Sequence, residues 1–404
     1  MQERLGRTEQ TVLDLLANEL FHADRRISDD VSWQEVFAEC RKQTVLVHGF
    51  KAADRSGLLP NELRAIWKKL AIAATYNNFQ VVFSHQHLAE MMDLAGIPYV
   101  ILKGCASARY YPEPLDRQMG DVDFLVDPGD LEAAGEALKK EEFQPWEEEH
   151  ICHVVYRNGR EHMEMHFEPA GMPYGKAGDI AREYFRDVME QAEEAEVEGK
   201  KIMMPSAFHH GLVLLLHTAH HMLGEGVGLR HLCDWAVFAA SFPEKEFREI
   251  FEKRLKRIGL WKFACILTRT AEEYLGCPAG NWADEVEADV TEAVIRDIFT
   301  GGNFGTKQEG RVYETYLISD RGKDGVGRRS MAAQFCASVN KMVCTHWPKA
   351  RRYKVLLPIG WAFFGMRYLV RMLLGKRPPL HPMKIQKEAA LRKDIYREFG
   401  LYDI

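Results

Sequence analysis

Along the first 95 residues apolar side chains return every three or four positions. Val12-Leu-Asp-Leu-Leu-Ala-Asn-Glu-Leu shows the rhythm, which resumes from Trp33 and again from Asn61 to Ala95. That spacing gathers the apolar residues on one side of a helix. Residues 1–95 therefore predict an N-terminal helical region, with Asn61 as an N-cap. Gly96-Ile-Pro98 breaks the rhythm. Tyr99 to Leu102 then reads as a short buried strand and Lys103-Gly104 as a turn. Cys105 to Tyr111 is a short helix ended by Pro112 and Pro114. Val122 to Val126 is a second strand. Asp127-Pro128 caps a helix that runs to about Glu142. Cys152 to Tyr156 and Met163 to Phe167 flank Asn158-Gly159, a tight-turn signal that predicts a hairpin.

Residues 96–168 thus predict a βαβαββ unit. From Pro169 to Pro205 the pattern weakens to one helix, about Asp179 to Gln191, and a small strand at Lys201 to Met204. Beyond Ser206, which reads as a helix cap, the helical period returns, and a further helix starts at Leu229. Gly301-Gly-Asn-Phe-Gly305 interrupts the helices and opens a long polar loop. The expected fold is α+β. A small mixed β-sheet core, residues 96–205, is flanked by helical regions at 1–95 and 206–404.

The 404 residues, 46% of them hydrophobic, suffice for two or three domains. The first ten residues have no apolar signal region. The longest apolar stretch, Val355 to Met366, is twelve residues, contains Pro358 and is too short to span a bilayer. Eight scattered cysteines without a Cys-x-x-Cys pair read as reduced thiols and predict a cytoplasmic protein.

Charge is unevenly placed. Residues 341–404 hold fourteen Lys/Arg against four Asp/Glu, so +10 within a chain of net −6, which leaves −16 for the rest. The basic end either meets phosphates or anionic lipid or packs on its own acidic body. Lys349-Ala-Arg-Arg-Tyr-Lys354 precedes an apolar stretch with Arg367 and Arg371 at i, i+4, the pattern of an interfacial helix. Residues 349–377 are thus a candidate for weak membrane-surface contact. Trp361, Phe363, Phe364 and Tyr368 either reach a bilayer surface or pack on the core. An acidic chain with no recognition module predicts no sequence-specific nucleic-acid partner.

The chemistry gathers in the strands. Asp121 and Asp123 are two residues apart in an apolar run. On a strand both point to one face, roughly 7 Å apart at ~3.3 Å per residue. Val122 points the other way, into a core. Two such carboxylates can lean onto a shared pair of metal ions ~3.5–4 Å apart. In Met163-Glu-Met-His-Phe167 the apolar residues share one face, and Glu164 and His166 the other. If the two strands are neighbours, Glu164 becomes a third carboxylate beside the first two.

With Lys103-Gly104, then Arg117 through the Gly120-Asp-Val-Asp-Phe-Leu-Val strand, then Glu164-Met-His, the chain resembles the DNA polymerase β-like nucleotidyltransferase superfamily. Within it, the chain is similar to a bacterial group of mostly uncharacterised nucleotidyltransferases. Leu229-Arg230 with Asp234, and Gly302-Asn-Phe-Gly305, match that group as well. The likeness is strongest over about 75 residues around the motifs. It implies a metal-dependent nucleotidyltransferase, moving an NMP group from an NTP to an unidentified acceptor hydroxyl on a sugar, small molecule or protein. Mg²⁺ or Mn²⁺ would be the cofactor, because hard cations prefer carboxylate and phosphate oxygens.

In that reading Asp121, Asp123 and Glu164 are metal ligands and catalytic residues. Lys103, Gly104, Ser107, Arg117 and Gly120 bind nucleotide. His166 and Arg230 line the cleft. Gly104 lets a phosphate approach the backbone, and Lys103 adds a point charge. Where many superfamily members have Gly-Gly or Gly-Ser, this chain has Lys103-Gly104-Cys105.

Blander readings accompany these. Arg117 can equally fix the loop ahead of the strand, and Arg230 with Asp234, four apart, reads as a helical ion pair. His217 and His221, also i, i+4, match a zinc spacing, yet Leu212-Val-Leu-Leu-Leu216 beside them marks a core helix. The unit can also persist as a catalytically inactive scaffold that binds a partner.

Overall fold

The N-terminal period resolves into α1 (Arg7–Phe21), α2 (Trp33–Lys42), α3 (Leu46–Ser56) and α4 (Asn61–Ala95). The computed structural model describes residues 5–146, 152–159, 161–278, 281–307, 330–347, 349–374 and 382–404, together with Arg311, Glu314 and Leu317. Asn61 is the first residue of α4; the cap position belongs to Pro60, which offers no side-chain acceptor. The 35 residues of α4 extend over about 50 Å and serve two cores. Leu63, Trp67 and Ala71 pack among helices, whereas Val82, Leu88 and Met92 pack under the sheet. Gly96, left-handed at φ 65°, closes the helix, so the Gly-Ile-Pro break is a C-cap.

Next come β1 (Tyr99–Ile101), α5 (Cys105–Ala108), β2 (Val122–Val126), α6 (Leu131–Lys140), β3 (Gln144–Pro145), β4 (His153–Arg157) and β5 (His162–His166). The sheet order is β1-β2-β5-β4-β3. β2 and β5 run parallel and the other pairs antiparallel. The hairpin expected at Asn158-Gly159 joins β4 to β5, with Gly159 at φ 83°. One face of the sheet, through Val122, Phe124, Met163 and Met165, packs with residues of α4 and α6. Leu125, which alternates with Phe124, belongs instead to the helical core.

α7 (Gly175–Tyr184) begins four residues before the expected 179–191 helix and gives way to a 3-10 turn at Phe185–Asp187. β6 (Glu193–Val197) pairs with β7 (Lys200–Met204). β7 matches the expected strand. β6 was missed because Glu193-Glu-Ala-Glu-Val offers almost no apolar alternation.

The remainder is helical: α8 (Ala207–Leu223), α9 (Leu229–Ala240), α10 (Glu244–Phe247), α11 (Lys253–Ile258), α12 (Trp261–Leu275), α13 (Ala288–Gly301), α14 (Met331–His346), α15 (Lys349–Arg352), α16 (Leu356–Leu373) and α17 (Pro382–Glu398). Ser206 occupies the cap position of α8, but its Oγ pairs with His209 Nδ1 at 2.8 Å instead of a backbone N–H. The polar loop expected after Gly305 falls largely outside the described residues, as do 375–377 of the candidate membrane segment.

The two helical regions share one core. Leu13 and Leu16 of α1 belong with Leu215 of α8, Trp235 of α9, Ile266 of α12 and Tyr396 of α17. Buried ion pairs fasten the chain end: Arg311 meets Asp297 at 2.6 Å, Arg392 meets Glu314 at 2.8 Å, and Tyr396 donates to Asp297 at 2.8 Å. Part of the basic end therefore does pack on acidic residues of its own body. Among the described residues no helix is long and apolar enough to cross a membrane.

Candidate active site beside the sheet

α4 positions the segment that leads into β2. Asn78 Nδ2 donates to the Leu115 carbonyl at 2.7 Å, and Asn78 Oδ1 accepts from the Met119 N–H at 2.9 Å. Asp121 follows in a bend one residue ahead of β2, so the strand starts at Val122 and not at Asp121. Asp121 and Asp123 nevertheless line the same cleft, and Val122 is buried.

β5 lies alongside, with Glu164 in register opposite Asp123. Paired strands are about 4.8 Å apart, and opposite residues share a face. His166 lies on that face too: Nε2 is 3.1 Å from Asp123 Oδ1 and 3.7 Å from Glu164 Oε2. The Leu102 N–H donates to the Asp123 carbonyl at 2.9 Å, which carries the chain beside β2 one residue past β1. Lys103 Nζ then reaches Asp123 Oδ1 at 2.9 Å. Asp123, Glu164 and His166 present ligand atoms all within 4.8 Å of one another. Cys152 and His153 form a second such group with the same His166. Glu164 has His153 Nε2 at 3.8 Å and His162 Nε2 at 4.0 Å, and it is not among the residues lining the cleft.

The charges depend on one another. Burial and the charge of Asp123 push the Asp121 carboxyl up to about 6. Burial also disfavours ionised Asp123, but Lys103 and His166 overturn that and hold it well below the usual carboxylate range. Glu164 likewise sits below its ordinary value despite burial, through its hydrogen bond with His166. His166 is raised to about 10: against burial, its bonds to Asp123, Cys152 and Glu164 favour the imidazolium. Lys103 is raised by Asp123 and Asp121 against its burial. Oxygen donors from two strands suit a hard divalent cation, and a cation would relieve the crowding recorded at Asp121. It would compete with Lys103 and His166 for the oxygens of Asp123.

The glycine of the turn has a packing reason as well as a conformational one. Gly104 has φ 60°. A Cβ there would stand 2.3 Å from His85 Nε2, on α4. Ser107, in α5, is buried with its Oγ unpartnered and lies outside the cleft lining. Gly120 is exposed and lines the cleft.

The cleft has a volume of about 290 Å³. Its far wall is Leu214, His217 and Thr218 of α8 with Arg230, His231 and Asp234 of α9, and Thr44, Asn303 and Phe304 complete the rim. The expected Arg230–Asp234 pair does not form. Asp234 takes a two-point fork from Arg117, Nε at 2.7 Å and Nη2 at 2.8 Å, and the Tyr111 hydroxyl at 2.7 Å. A planar guanidinium satisfies both carboxylate oxygens at once, which a neighbour one helical turn away does not. Arg230 Nη1 instead donates to the Gln118 carbonyl at 2.9 Å, and its Nε is buried without a partner.

His217 and His231 are held neutral by burial, and the Nδ1 of each is unpartnered. His217 and His221 lie ring to ring at 4.4 Å, yet these histidines do not form a three-ligand group within 4.8 Å. Sequence reasoning missed Thr44, Gln118 and Thr218 altogether. Thr44 at φ 59° and Phe304 at φ 52° are left-handed non-glycine residues on the rim, a feature with no local sequence signal.

Fold and cleft together define an α+β protein with three carboxylates gathered at one end of a parallel strand pair. Residues 29–276 match the family described as uncharacterised nucleotidyltransferase, and the chain belongs to that family. The match runs from ahead of α2 through α12, so it includes the sheet and both cleft-lining helices, α8 and α9. Membership supports nucleotidyl transfer as the general activity, with an NTP as donor. No curated protein matches the chain.

Proposed function

We propose that this protein transfers a nucleoside monophosphate from an NTP to an acceptor hydroxyl, with Mg²⁺ or Mn²⁺ bound by Asp121, Asp123 and Glu164. We also read its sheet as a variant of the polymerase β-like core, of the kind in the bacterial group it resembles. The observation that supports this most is the parallel register that sets Glu164 opposite Asp123, beside a cleft lined by Asp121 and Lys103. A divalent cation bound there would stabilise the oxygens entering and leaving the α-phosphorus.

The chain's own groups supply the rest. The acceptor oxygen forms a bond to the α-phosphorus while the bond to the bridging oxygen breaks and pyrophosphate leaves. Glu164 receives the acceptor proton. Lys103 and Arg230, two cations in the cleft lining, face the triphosphate. Gly104 and Gly120 line the cleft, Ser107 lies buried outside its lining and takes no part in this reading, and Arg117 holds the loop against α9 through Asp234.

The test is incubation with each NTP labelled at the α-phosphate, with Mg²⁺ or Mn²⁺ and fractionated cell extract. The α-label is expected in a new species with wild type and not with Asp123→Asn. Transfer of a γ-label, or normal transfer by Asp123→Asn, overturns the reading. One observation favours an inactive scaffold: Lys103 and His166 already neutralise Asp123. Absence of NTP binding in the presence of Mg²⁺ would select it.

A further inference from the structure

We propose that α14 and α16 form a hairpin that seats this protein on an anionic lipid surface. The two helices pack against each other. A Cβ at Gly360 would stand 2.4 Å from Val343 Cγ1, and Trp361 Nε1 donates to Asn340 Oδ1 at 2.9 Å. Trp347 lies 5.4 Å from Phe363 and 6.0 Å from Phe364, ring to ring. These contacts occupy one side of α16. Pro358 falls in its first turn, where a proline is tolerated.

Among the described residues nothing is seated on the other side of α16. Val355, Ile359, Met366, Val370 and Leu373 are between 47% and 81% exposed, and Phe363, at the edge of the packed side where its ring meets Trp347, is still 49% exposed. Their spacing of three and four residues aligns them along one face. Six exposed apolar side chains in a row form the kind of contiguous patch that marks an interaction surface.

Charge chooses the occupant. From Gly325 to Lys387 the sequence has thirteen Lys/Arg and not one Asp or Glu. Lys349, Arg351, Arg352 and Lys354 lie exposed just ahead of α16, and Arg367 lies exposed at the border of its apolar face. A second copy would bring the same positive charge to this face and be repelled. A nucleic acid would satisfy the charge but leave the apolar row in water. An anionic bilayer satisfies both: phosphate headgroups meet the cations while the apolar row enters the acyl boundary. The helix lies in the interface plane, since it is not long and apolar enough to cross.

The test is flotation of the full-length protein with phosphatidylcholine vesicles, with and without phosphatidylglycerol, at low and high salt. Wild type is expected to float with anionic vesicles and to be released by salt. Ile359→Glu with Met366→Glu should weaken partition at least about a hundredfold. Arg351→Gln with Arg352→Gln should weaken it about fivefold per charge removed. Unchanged melting curves confirm that each variant still folds; should the glutamate pair fail to fold, Ile359→Ser with Met366→Ser replaces it. The proposal fails if wild type ignores anionic vesicles, if both apolar-face variants float as well as wild type, or if wild type prefers single-stranded RNA. It also fails if gel filtration shows a dimer that the substitutions on this face dissociate.

Discussion

Asp121 and Asp123 differ in ionisation because their neighbours differ. Asp123 has Lys103 and His166 within hydrogen-bond distance, whereas Asp121 feels chiefly burial and the charge of Asp123. Asp121→Asn removes a like charge without removing a packing group. It should lower transfer about a thousandfold while the urea midpoint at neutral pH stays level or rises slightly. A lower midpoint with transfer intact would make Asp121 structural. Asp234 is the reverse case. Asp234→Asn leaves the buried Arg117 guanidinium without its counter-charge and should cost about 3–5 kcal/mol in urea unfolding. Burial disfavours the Asp234 carboxylate, but Arg117 outweighs it and brings the folded value to about 2. A depressed carboxylate stabilises the fold above its unfolded pKa of ~3.9, and that contribution drains away as pH falls from about 4 towards about 2. Acid unfolding of Asp234→Asn should therefore lose this component. Gly104→Ala would suffer both an unfavourable φ and a clash with His85. The double variant Gly104→Ala with His85→Ala should recover most of the stability lost in the single one, leaving about 1 kcal/mol of backbone strain. No recovery would mean that the turn is destabilised by something other than this imidazole.

At the scale of elements, the order of strands and helices was legible wherever period and punctuation agreed. Gly96-Ile-Pro98, Lys103-Gly104 and Asn158-Gly159 each mark a real boundary. Alternation in β5 put Glu164 and His166 on one face, and adjacency to β2 then followed as a conditional that the register fulfils. β6 escaped because its side chains are mostly charged, and α7 shifted because Gly175 to Ile180 looks like loop in composition. The far wall of the cleft was only partly legible. Arg230, Asp234 and the histidines were visible as candidates, but their partners were decided by long-range packing, so a local i, i+4 rule assigned Asp234 to the wrong arginine. Asn78 gave no signal at all, because a mid-helix asparagine resembles any other polar residue until the loop it holds is known. Asn78→Ala removes both of its bonds to the 115–119 segment and should cost about 1–3 kcal/mol. If the loop serves the site by holding Asp121, transfer should fall more steeply than the change in urea midpoint explains. An activity loss no larger than the folded fraction lost would assign Asn78 to stability alone.

The molecule as a whole is joined across its sequence: α1 and α17, near opposite ends of the chain, reach one core, and α4 lends its second half to the sheet. Helices from 1–95 and 206–404 contribute to one buried core, and the sheet shares another with the second half of α4. Histidine is where that shared burial becomes measurable. Burial holds His48, His210 and His231 down at about 3 and His85 at about 4, so all four are neutral in the fold. Unfolded, each titrates near ~6.5, and below that pH the unfolded chain binds protons that the folded one refuses. The unfolded state then gains with every unit of acidity, by ~1.4 kcal/mol per histidine, or about 5 kcal/mol per pH unit for the four together. His166 acts with the opposite sign: raised to about 10, it stabilises the fold fully below ~6.5 and loses that contribution as pH rises through about 10. Urea midpoints should accordingly fall steeply from about pH 6 towards pH 4, and decline more gently from near neutrality up to about pH 10, the window over which His166 holds a proton that the unfolded chain has lost. His210→Gln should shallow the acid limb by the share of one proton, because the polar amide cannot take up charge on unfolding. A midpoint that rises between neutral pH and pH 5 would show that these imidazoles are protonated inside the protein, and His217 and His231 would then count as cations lining the cleft.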